Sequence, residues 1–276
     1  MSQRWLITGT SRGLGRALAE AVLQAGHRLV ATARDPAQLA PLVARYGDAV
    51  RAVALDVTDP TAAQGAVQVA VDAFGGLDVL VNNAGYGNVD SVEDTDLDEF
   101  RRQMETNLFG TIILTKAAIP VMRAQRSGHL LQLSSVGGRV GAPGRAPYSA
   151  AKWGVEGFSE SLALEMALIG VHVTLIEPGG FRTDFAGSST VLRDGRGEYD
   201  AVVGAAARRQ RDYDGQQPGD PARAAQAILQ VAAMAQPPRR LALGSDAVAA
   251  IEAADRSRLD ELARWRSLSV STDFPK

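Results

Sequence analysis

The stretch of sequence that decides the fold reads Thr8-Gly9-Thr10-Ser11-Arg12-Gly13-Leu14-Gly15. It follows a short apolar segment, Trp5–Thr8, and leads into an amphipathic segment near Leu14–Ala25. Glycines in such a turn let the backbone bend sharply and approach a pyrophosphate, whose charge lies at the N-terminus of the following helix. Similar loops occur as ordinary turns and in methyltransferases. The position of this loop between the first strand and the first helix favours a dinucleotide site.

Outward from this loop, short apolar runs alternate with longer amphipathic segments. Strands are predicted at Trp5–Thr8, Arg28–Ala33, Val50–Asp56, Val79–Asn82, His129–Ser134, His172–Glu177 and Arg240–Leu243. Helices are predicted near Leu14–Ala25, Pro36–Arg45, Pro60–Phe74, Phe100–Arg123, Tyr148–Ile169, Ala222–Ala235 and Asp246–Leu268. Several of the strands are continuous apolar runs, which is typical of a parallel sheet covered on both faces. The alternation predicts an α/β protein with a single doubly wound, Rossmann-type parallel sheet and helices on both faces.

The chain of 276 residues is expected to form one domain. Residues 1–183 make up the predicted cofactor-binding and catalytic core. From about residue 181 to 221 the periodicity fades into Gly, Arg, Asp and Ser, and residues 184–217 are interpreted as a substrate lid, because long loops within domains are usually functional. Apolar contacts to substrate are expected from Phe181, Phe185, Val191, Leu192 and Tyr199. A C-terminal helix–strand–helix unit is predicted over 222–268.

Composition excludes several classes of function. The net charge is −2 at pH 7, so no general affinity for nucleic acid or an anionic membrane is expected. No apolar stretch reaches the roughly 18 residues that span a bilayer, and no signal peptide is recognisable, so a cytoplasmic protein is expected. The absence of cysteine excludes disulfides and thiolate chemistry. The three histidines, His27, His129 and His172, lack the spacing of metal ligands, and no metal is expected.

Tyr148 and Lys152 stand four residues apart on a predicted helix, so their side chains share one face. The pair suits hydride transfer to a carbonyl, because the reaction also requires a proton donor at the carbonyl oxygen. A phenol, with a reference pKa of about 10, becomes an effective acid–base group when a nearby cation stabilises the phenolate. Only Lys116, Lys152 and Lys276 are lysines among 29 basic residues. A lysine at this position therefore indicates a function rather than a random surface charge.

Together these features resemble the short-chain dehydrogenase/reductase family. The matching motifs occur in order from Arg4 to about Thr183, and they are residues 8–15, Asn82-Asn83-Ala84-Gly85, Asn107, Ser135, Tyr148-x-x-x-Lys152 and Pro178-Gly179. The spacing T-G-x-x-x-G-x-G is similar to that of the compact branch of the family and differs from the G-x-x-G-x-x-G of the extended branch. The resemblance implies a nicotinamide-dependent oxidoreductase that acts on a small-molecule carbonyl or alcohol.

The same resemblance implies roles for individual residues. Ser135, thirteen residues before Tyr148, matches the serine whose hydroxyl polarises the substrate oxygen. Its neighbour Ser134 points to the other side of the strand and receives a structural role. Asn107 matches the asparagine that binds a water connecting Lys152 to solvent. The catalytic residues implied are thus Asn107, Ser135, Tyr148 and Lys152.

Cofactor contacts are implied along the whole carboxyl edge of the sheet. They are Gly9, Ser11, Arg12, Gly13, Leu14, Gly15, Arg34, Asp56, Val57, Asn83, Ala84, Gly85, Tyr148, Lys152, Pro178, Gly179 and Thr183. Asp56 matches the position that contacts the adenine amino group, although it also suits a strand-end cap. Thr183 matches the threonine that holds the nicotinamide carboxamide.

The end of the second strand decides between NAD and NADP. It reads Ala33-Arg34-Asp35-Pro36. Asp35 is about twenty residues beyond the last loop glycine, as expected for a ribose contact in NAD enzymes, but Asp followed by Pro is also a helix start. In the family, the acid that selects NAD usually stands where this chain has Ala33. Arg34 and Arg12 are placed to bracket a 2′-phosphate, so NADP (NADPH) is expected and NAD is the less favoured cofactor.

The sequence therefore predicts an NADP-preferring oxidoreductase that interconverts a carbonyl and a secondary alcohol. The alternatives are a catalytically silent NADP-sensing regulatory protein on the same fold and a methyltransferase, and both are disfavoured by the complete catalytic set. By analogy with the family, a homodimer or homotetramer is expected through the helices Phe100–Arg123 and Tyr148–Ile169. In the lid, Arg208, Arg209 and Arg211 suit either an acidic substrate or, more simply, a solvated helix face.

Overall fold

A computed structural model describes residues 2–187 and 189–274. Its strands are β1 (Arg4–Ile7), β2 (Arg28–Ala33), β3 (Val50–Ala54), β4 (Val79–Asn82), β5 (Gly87–Val89), β6 (Gly128–Leu133), β7 (Val171–Pro178), β8 (Thr190–Leu192) and β9 (Arg240–Leu243). Its α-helices are α1 (Gly13–Gln24), α2 (Ala40–Tyr46), α3 (Pro60–Phe74), α4 (Leu97–Met104), α5 (Gly110–Gln125), α6 (Ala146–Ala167), α7 (Ala205–Tyr213), α8 (Pro221–Ala232) and α9 (Ser245–Val270).

Seven parallel strands form the main sheet in the order β3-β2-β1-β4-β6-β7-β9. Each face of the sheet is covered by its own apolar core, and strand β1 contributes to both because its side chains alternate between the two faces. Trp5 and Ile7 pack with α1 and α8 on one face, whereas Leu6 packs with α3, α5 and α6 on the other. The predicted doubly wound α/β fold is confirmed.

The chain reverses its direction of winding between β1 and β4, which are neighbours in the sheet although β2 and β3 separate them in sequence. In open α/β sheets the loops on either side of such a reversal diverge and leave a crevice at the carboxyl ends of the strands. The glycine loop follows β1 and the Asn82–Gly85 segment follows β4. The topology therefore places both motifs at one crevice.

Several predicted elements have slightly different bounds in the structure, and two of these differences concern the site. Strand β3 ends at Ala54 rather than Asp56, so Asp56 lies in the loop beyond it. The helix predicted at Phe100–Arg123 begins at Leu97, because the Asp96 side chain accepts hydrogen bonds from the Asp98 and Glu99 amides and caps it. That helix is also interrupted by a π-helical turn over Glu105–Phe109.

The segment predicted as a lid has more structure than a loop. Its strand β8 pairs in parallel with β5 in a separate two-stranded sheet that the sequence did not predict. Helix α7 follows, and Val203 and Ala207 of this region pack against Val89 in a small apolar cluster. The ion pair between Arg193 and the buried Asp90, at 3.2 Å, also joins the segment to the loop after β5.

The arginines of this segment face solvent, as the simpler of the two sequence interpretations predicts. Arg208 pairs with Asp200 at 2.7 Å and Arg211 pairs with Asp194 at 2.8 Å. Beyond the segment, α8, β9 and α9 correspond to the predicted helix–strand–helix unit, and β9 joins the sheet beside β7. Among the described residues, no helix is both long and apolar enough to cross a membrane.

Candidate active site

A cleft of about 1150 Å³ lies at the carboxyl ends of the strands, on the crevice between β1 and β4. All residues predicted to bind the cofactor or to act in catalysis line this cleft, with the exception of Asn107. The lining residues from that set are Gly9, Ser11, Arg12, Gly13, Leu14, Gly15, Arg34, Asp56, Val57, Asn83, Ala84, Gly85, Ser135, Tyr148, Lys152, Pro178, Gly179 and Thr183. The fold thus assembles in one place residues that are spread over 175 positions of the sequence.

The glycine loop is shaped for close approach of a ligand to the backbone. Gly9 and Gly13 have φ values of +71° and +60°, which side chains rarely adopt. Gly15 serves a different purpose, because a Cβ there would overlap the Gly9 carbonyl oxygen and the Asn83 side-chain amide. Within the described residues, no side chain caps the N-terminus of α1, so its amides are available to an anion. The loop fits a dinucleotide pyrophosphate.

Hydrogen bonds tie the glycine loop to the end of β4. The Asn83 side-chain amide donates to the carbonyl oxygens of Thr8 at 2.8 Å and Gly9 at 3.1 Å. In return, the Thr8 hydroxyl accepts from the backbone amides of Asn83 and Ala84, both at 2.9 Å. These reciprocal contacts fix the two sides of the crevice relative to each other.

Tyr148, Ser135 and Lys152 meet at one point of the cleft wall. Tyr148 is 6% exposed and Lys152 is 5% exposed, and the Lys152 ammonium lies 5.9 Å from the centre of the Tyr148 ring. The Ser135 hydroxyl lies close enough to the phenol to lower its pKa, and it accepts a hydrogen bond from the Gly137 amide at 3.0 Å. Ser134 also lines the cleft, and its buried hydroxyl lies next to Gly138.

Burial controls the acidity of Tyr148. Removal from water raises the pKa of its phenol, while the hydrogen bond from Ser135 and the positive charge of Arg145 act in the opposite direction. At neutral pH the phenol therefore retains its proton, which is the form that can donate to a developing alkoxide.

Lys152 is a buried cation whose proton is held less firmly than usual. Its ammonium donates to the Leu133 carbonyl at 2.6 Å. Burial lowers the pKa of Lys152 to about 8, and the negative charge of Glu156, one turn further along α6, opposes that shift. The ammonium is therefore charged at neutral pH and titrates within a range in which proteins remain folded.

Glu156 belongs to a buried network of charges behind the site. Arg240 lies 3.1 Å from Glu156 and 3.2 Å from Glu177, and Arg139 pairs with Glu177 at 3.1 Å. Burial, and then repulsion from Glu177, raises the pKa of Glu156 to about 7, although Arg240 works against the rise. The network thus supplies a partly ionised carboxylate close to Lys152.

Asn107 lies behind the cleft wall and is fully buried. Its side-chain oxygen accepts from the Tyr86 amide at 3.1 Å, and its side-chain nitrogen donates to the Tyr86 carbonyl at 2.8 Å. The π-helical turn presents Asn107 to this backbone, next to Gly85. Gly110 follows the turn and packs where a Cβ would overlap Val57.

The end of β2 contributes Ala33 and Arg34 to the lining of the cleft, and the glycine loop contributes Arg12. The Asp35 carboxylate accepts from the Ala37 amide at 3.0 Å and caps the turn that precedes α2. Asp56 accepts from the Thr58 amide and hydroxyl, and these bonds, followed by the charge of Arg34, lower its pKa. Asp35 therefore has the capping role that the Asp-Pro pair indicates.

The Pro178–Thr183 turn is held by a residue that sequence reasoning missed. The Asp246 carboxylate, from the first turn of α9, accepts from the Gly180 amide at 2.7 Å. Thr183 lies against Gly13 across the cleft. Because Asp246 is more than sixty positions from this turn in the chain, no local motif could have indicated it.

Several polar side chains from outside the predicted set also line the cleft, and they are Arg102, Arg145, Gln210, Tyr213 and Gln217. Gln217 is 1% exposed, and neither atom of its amide has a hydrogen-bond partner among the described residues. Of the apolar residues expected to contact substrate, Phe181 and Phe185 line the cleft, and Phe185 packs on Tyr148 with ring centres 5.6 Å apart.

The other three expected apolar contacts lie elsewhere. Val191 is largely exposed on β8, and Leu192 packs on the small cluster around Val89. The Tyr199 hydroxyl donates to Glu93 at 2.7 Å on the surface. These corrections follow from β8, whose pairing with β5 turns this part of the segment away from the cleft.

The chain matches the short chain dehydrogenase family model over residues 3–191. It is 47% identical to Oxidoreductase BOA17 of Botryotinia fuckeliana, with 99% of this chain and 100% of that protein covered. A solved short-chain dehydrogenase from Streptomyces avermitilis is 39% identical, with a TM-score of 0.92 over 99% of this chain and 98% of the other. A metagenomic short-chain oxidoreductase solved with NADP is 26% identical, with a TM-score of 0.69 over 88% and 97%.

The chain belongs to the short-chain dehydrogenase family. It is an oxidoreductase that depends on a nicotinamide cofactor, as the resemblance of its motifs predicts. The glycine loop, the uncapped N-terminus of α1 and the Thr8–Asn83 contacts are the features that fit such a cofactor.

We expect Gly15→Ala to abolish cofactor binding and to destabilise the fold, because the added Cβ has no space between the Gly9 carbonyl and the Asn83 amide. Gly65→Ala in α3 is the matched control, since a Cβ there meets nothing within 4 Å and alanine gains about 1 kcal/mol over glycine in a helix. Calorimetric titration with NADPH and thermal unfolding measure both effects. Unchanged NADPH affinity in Gly15→Ala would contradict the assignment of the loop.

We expect carbonyl reduction to decline as the pH rises through about 8, where Lys152 loses its proton. Glu156→Gln removes a negative charge that favours the ammonium, so the midpoint of this decline should move to lower pH. Glu160→Gln is the control, because Glu160 contacts the same Arg240 from the exposed side. The pH profile of kcat/KM measures the midpoint, and equal midpoints in Glu156→Gln and the unmodified protein would exclude the coupling.

Proposed function

We propose that the protein is an NADP-preferring oxidoreductase that interconverts a carbonyl and a secondary alcohol. The observation that carries the proposal is the meeting of Tyr148, Ser135 and Lys152 beside the glycine loop in a single cleft. A regulatory protein without turnover would not need this buried acid–base group, and no feature of the site favours that alternative.

The bound nicotinamide cofactor supplies or accepts the hydride at the substrate carbon. Ser135 is placed to donate a hydrogen bond to the substrate oxygen and to stabilise its developing negative charge. The Tyr148 hydroxyl donates its proton to that oxygen in reduction and removes it in oxidation. The buried Lys152 ammonium stabilises the phenolate that remains, and in bulk water the same charge would have much less effect. Asn107 is proposed to bind a water that connects Lys152 to solvent. Its hydrogen bonds to the Tyr86 backbone fix its position.

Four observations support NADP over NAD. Ala33 occupies the place of a ribose-binding acid, and Asp35 is engaged by the Ala37 amide. Arg12 and Arg34 both line the cleft, where planar guanidinium groups suit a 2′-phosphate. The metagenomic relative solved with NADP is consistent with this preference.

Residues 184–217 are proposed to close over bound substrate. Phe185, Ala186, Ser189, Gln210 and Tyr213 of this segment line the cleft, so its position determines the shape of the substrate pocket. Closure of such segments excludes water from the reacting atoms.

Self-association and a cytoplasmic location complete the proposal. The helices expected to form the subunit interface expose large apolar side chains, among them Phe109 beside α5 and Trp153 and Leu164 on α6. Exposed apolar surface of this kind supports a homodimer or homotetramer. The lack of cysteine is compatible with a reducing compartment.

Tyr148→Phe should lower kcat by about 10²–10⁴-fold, the contribution of a general acid–base group, and should leave NADPH affinity nearly unchanged. Tyr46→Phe removes a hydroxyl at the end of α2, outside the cleft, and is the control. Single-turnover absorbance of NADPH with a ketone panel separates the chemical step from binding. A Tyr148→Phe variant of normal kcat would disprove the proposed proton transfer.

NADPH should bind at least about tenfold more tightly than NADH, which corresponds to about 1.4 kcal/mol. Arg34→Ala and Arg12→Ala should each reduce this difference by weakening NADPH binding alone, whereas Arg123→Ala at the exposed end of α5 should not. Fluorescence titration of the tryptophans measures both affinities. Equal affinities in the unmodified protein would refute the NADP preference.

A further inference from the structure

The substrate side of the cleft contains a guanidinium without an acidic partner. Arg145 precedes α6, one turn before Tyr148, and lines the cleft beside Phe185 and Ala186. Its side chain is partly buried. Among the described residues, its guanidinium makes one side-chain hydrogen bond, to the Gln210 oxygen at 2.6 Å, and no ion pair with a carboxylate.

This arrangement differs from that of the neighbouring arginines. On the segment that contacts Arg145 through Gln210, Arg193, Arg196, Arg208 and Arg211 pair with carboxylates, and Arg209 is exposed to solvent. Arginine cannot relieve its burial by losing a proton under physiological conditions. A desolvated cation without an anion is costly, and burial already lowers the pKa of Arg145. An anion that entered the cleft would offset this cost.

Gln210 prepares the guanidinium for such an anion. Its side-chain nitrogen donates to the Ala186 carbonyl at 3.2 Å, which fixes the amide with its oxygen toward Arg145. One N–H group of the guanidinium thereby donates to Gln210, and its other N–H groups can donate to a ligand. Gln210 is thus a positioning residue that pre-orients Arg145.

The location identifies the anion as part of the substrate rather than the cofactor. The charge of Arg145 lowers the pKa of the Tyr148 phenol, so the guanidinium lies near the proton donor, and its partner Gln210 also contacts Ala186. The same cleft is lined by the apolar residues Val140, Ala142, Phe185 and Ala186. A single planar guanidinium in apolar surroundings matches a singly charged, planar carboxylate, with which it forms two parallel hydrogen bonds.

We propose that Arg145, held by Gln210, binds a carboxylate of the substrate, so that the enzyme acts on oxo acids and the corresponding hydroxy acids. This inference rests on the proposed oxidoreductase function and specifies its substrate class. Arg145 and Tyr148 line the same cleft, so one substrate can place its carboxylate on the guanidinium and its carbonyl at the phenol.

The test compares linear oxo acids of increasing ketone-to-carboxylate separation with the primary amides of the same acids. At the separation that gives the highest kcat/KM, the unmodified enzyme should have a higher kcat/KM for the oxo acid than for its primary amide. Arg145→Met should lower kcat/KM for that acid by about 10- to 100-fold more than for the matched amide, mainly through KM, as expected for a lost charge-assisted interaction, whereas the effect of the lost charge on Tyr148 applies to both compounds equally. Arg145→Lys should recover part of the preference.

Gln210→Glu provides a second variant that does not remove Arg145. The new carboxylate should pair with the guanidinium and repel an acidic substrate, so acid turnover should fall while amide turnover persists. Arg209→Met, an exposed and neighbouring arginine of α7, is the control and should retain the acid preference. An equal loss on acid and amide in Arg145→Met would overturn the proposal, because Arg145 would then act only through Tyr148.

A binding measurement separates this inference from the proposed function. Calorimetric titration of the enzyme–NADPH complex with the hydroxy acids should give affinities that decrease in Arg145→Met and Gln210→Glu. If neutral ketones are reduced without any preference for acids, the substrate class is wrong and the oxidoreductase function stands. If acids bind through Arg145 but no ketone is reduced, the proposed reaction fails and the carboxylate site stands. Acids that bind equally to all variants would overturn the site.

Discussion

The contact between the Asn83 amide and the glycine loop is the constraint on which the site depends. It holds the end of β4 against the end of β1 so closely that position 15 has no room for a side chain. The N-terminus of α1 therefore points into the crevice at a fixed angle, and a phosphate can be bound by backbone amides without any side-chain rearrangement. The polar motifs after β4 and β6 take their positions from the same sheet edge.

A second constraint is the free energy lost when the Lys152 ammonium is removed from water. Part of that cost is offset by the Leu133 carbonyl and part by Glu156, whose own charge depends on Arg240. Because Glu177 and Arg139 extend the network, the acidity of Lys152 is determined by residues from α6, β7 and β9 together. Such networks stabilise only when every charge has a partner.

The core fold was predictable because its signals are local. Apolar runs gave the seven strands of the main sheet, and short motifs gave the cofactor loop, Tyr148 and Lys152. The three-residue strands β5 and β8 were not predicted, since their pairing depends on tertiary contacts rather than on periodicity. Gln217 and Asp246 were missed for a related reason, because only the folded chain places them at the cleft. Arg145 had a local signal, its position one turn before Tyr148.

The ion pair between Arg240 of β9 and Glu156 of α6 determines how much of the chain must fold together. The recurrent family signature ends at residue 191, yet the guanidinium that compensates Glu156 comes from β9, after the end of that signature. A fragment cut at the signature boundary would keep its motifs but lose the cation that pairs with the buried Glu156, and removing one partner of a buried ion pair is destabilising. The part of the chain that the family model matches is therefore smaller than the part that must fold together, because β9 supplies a cation that a buried carboxylate of the matched part requires.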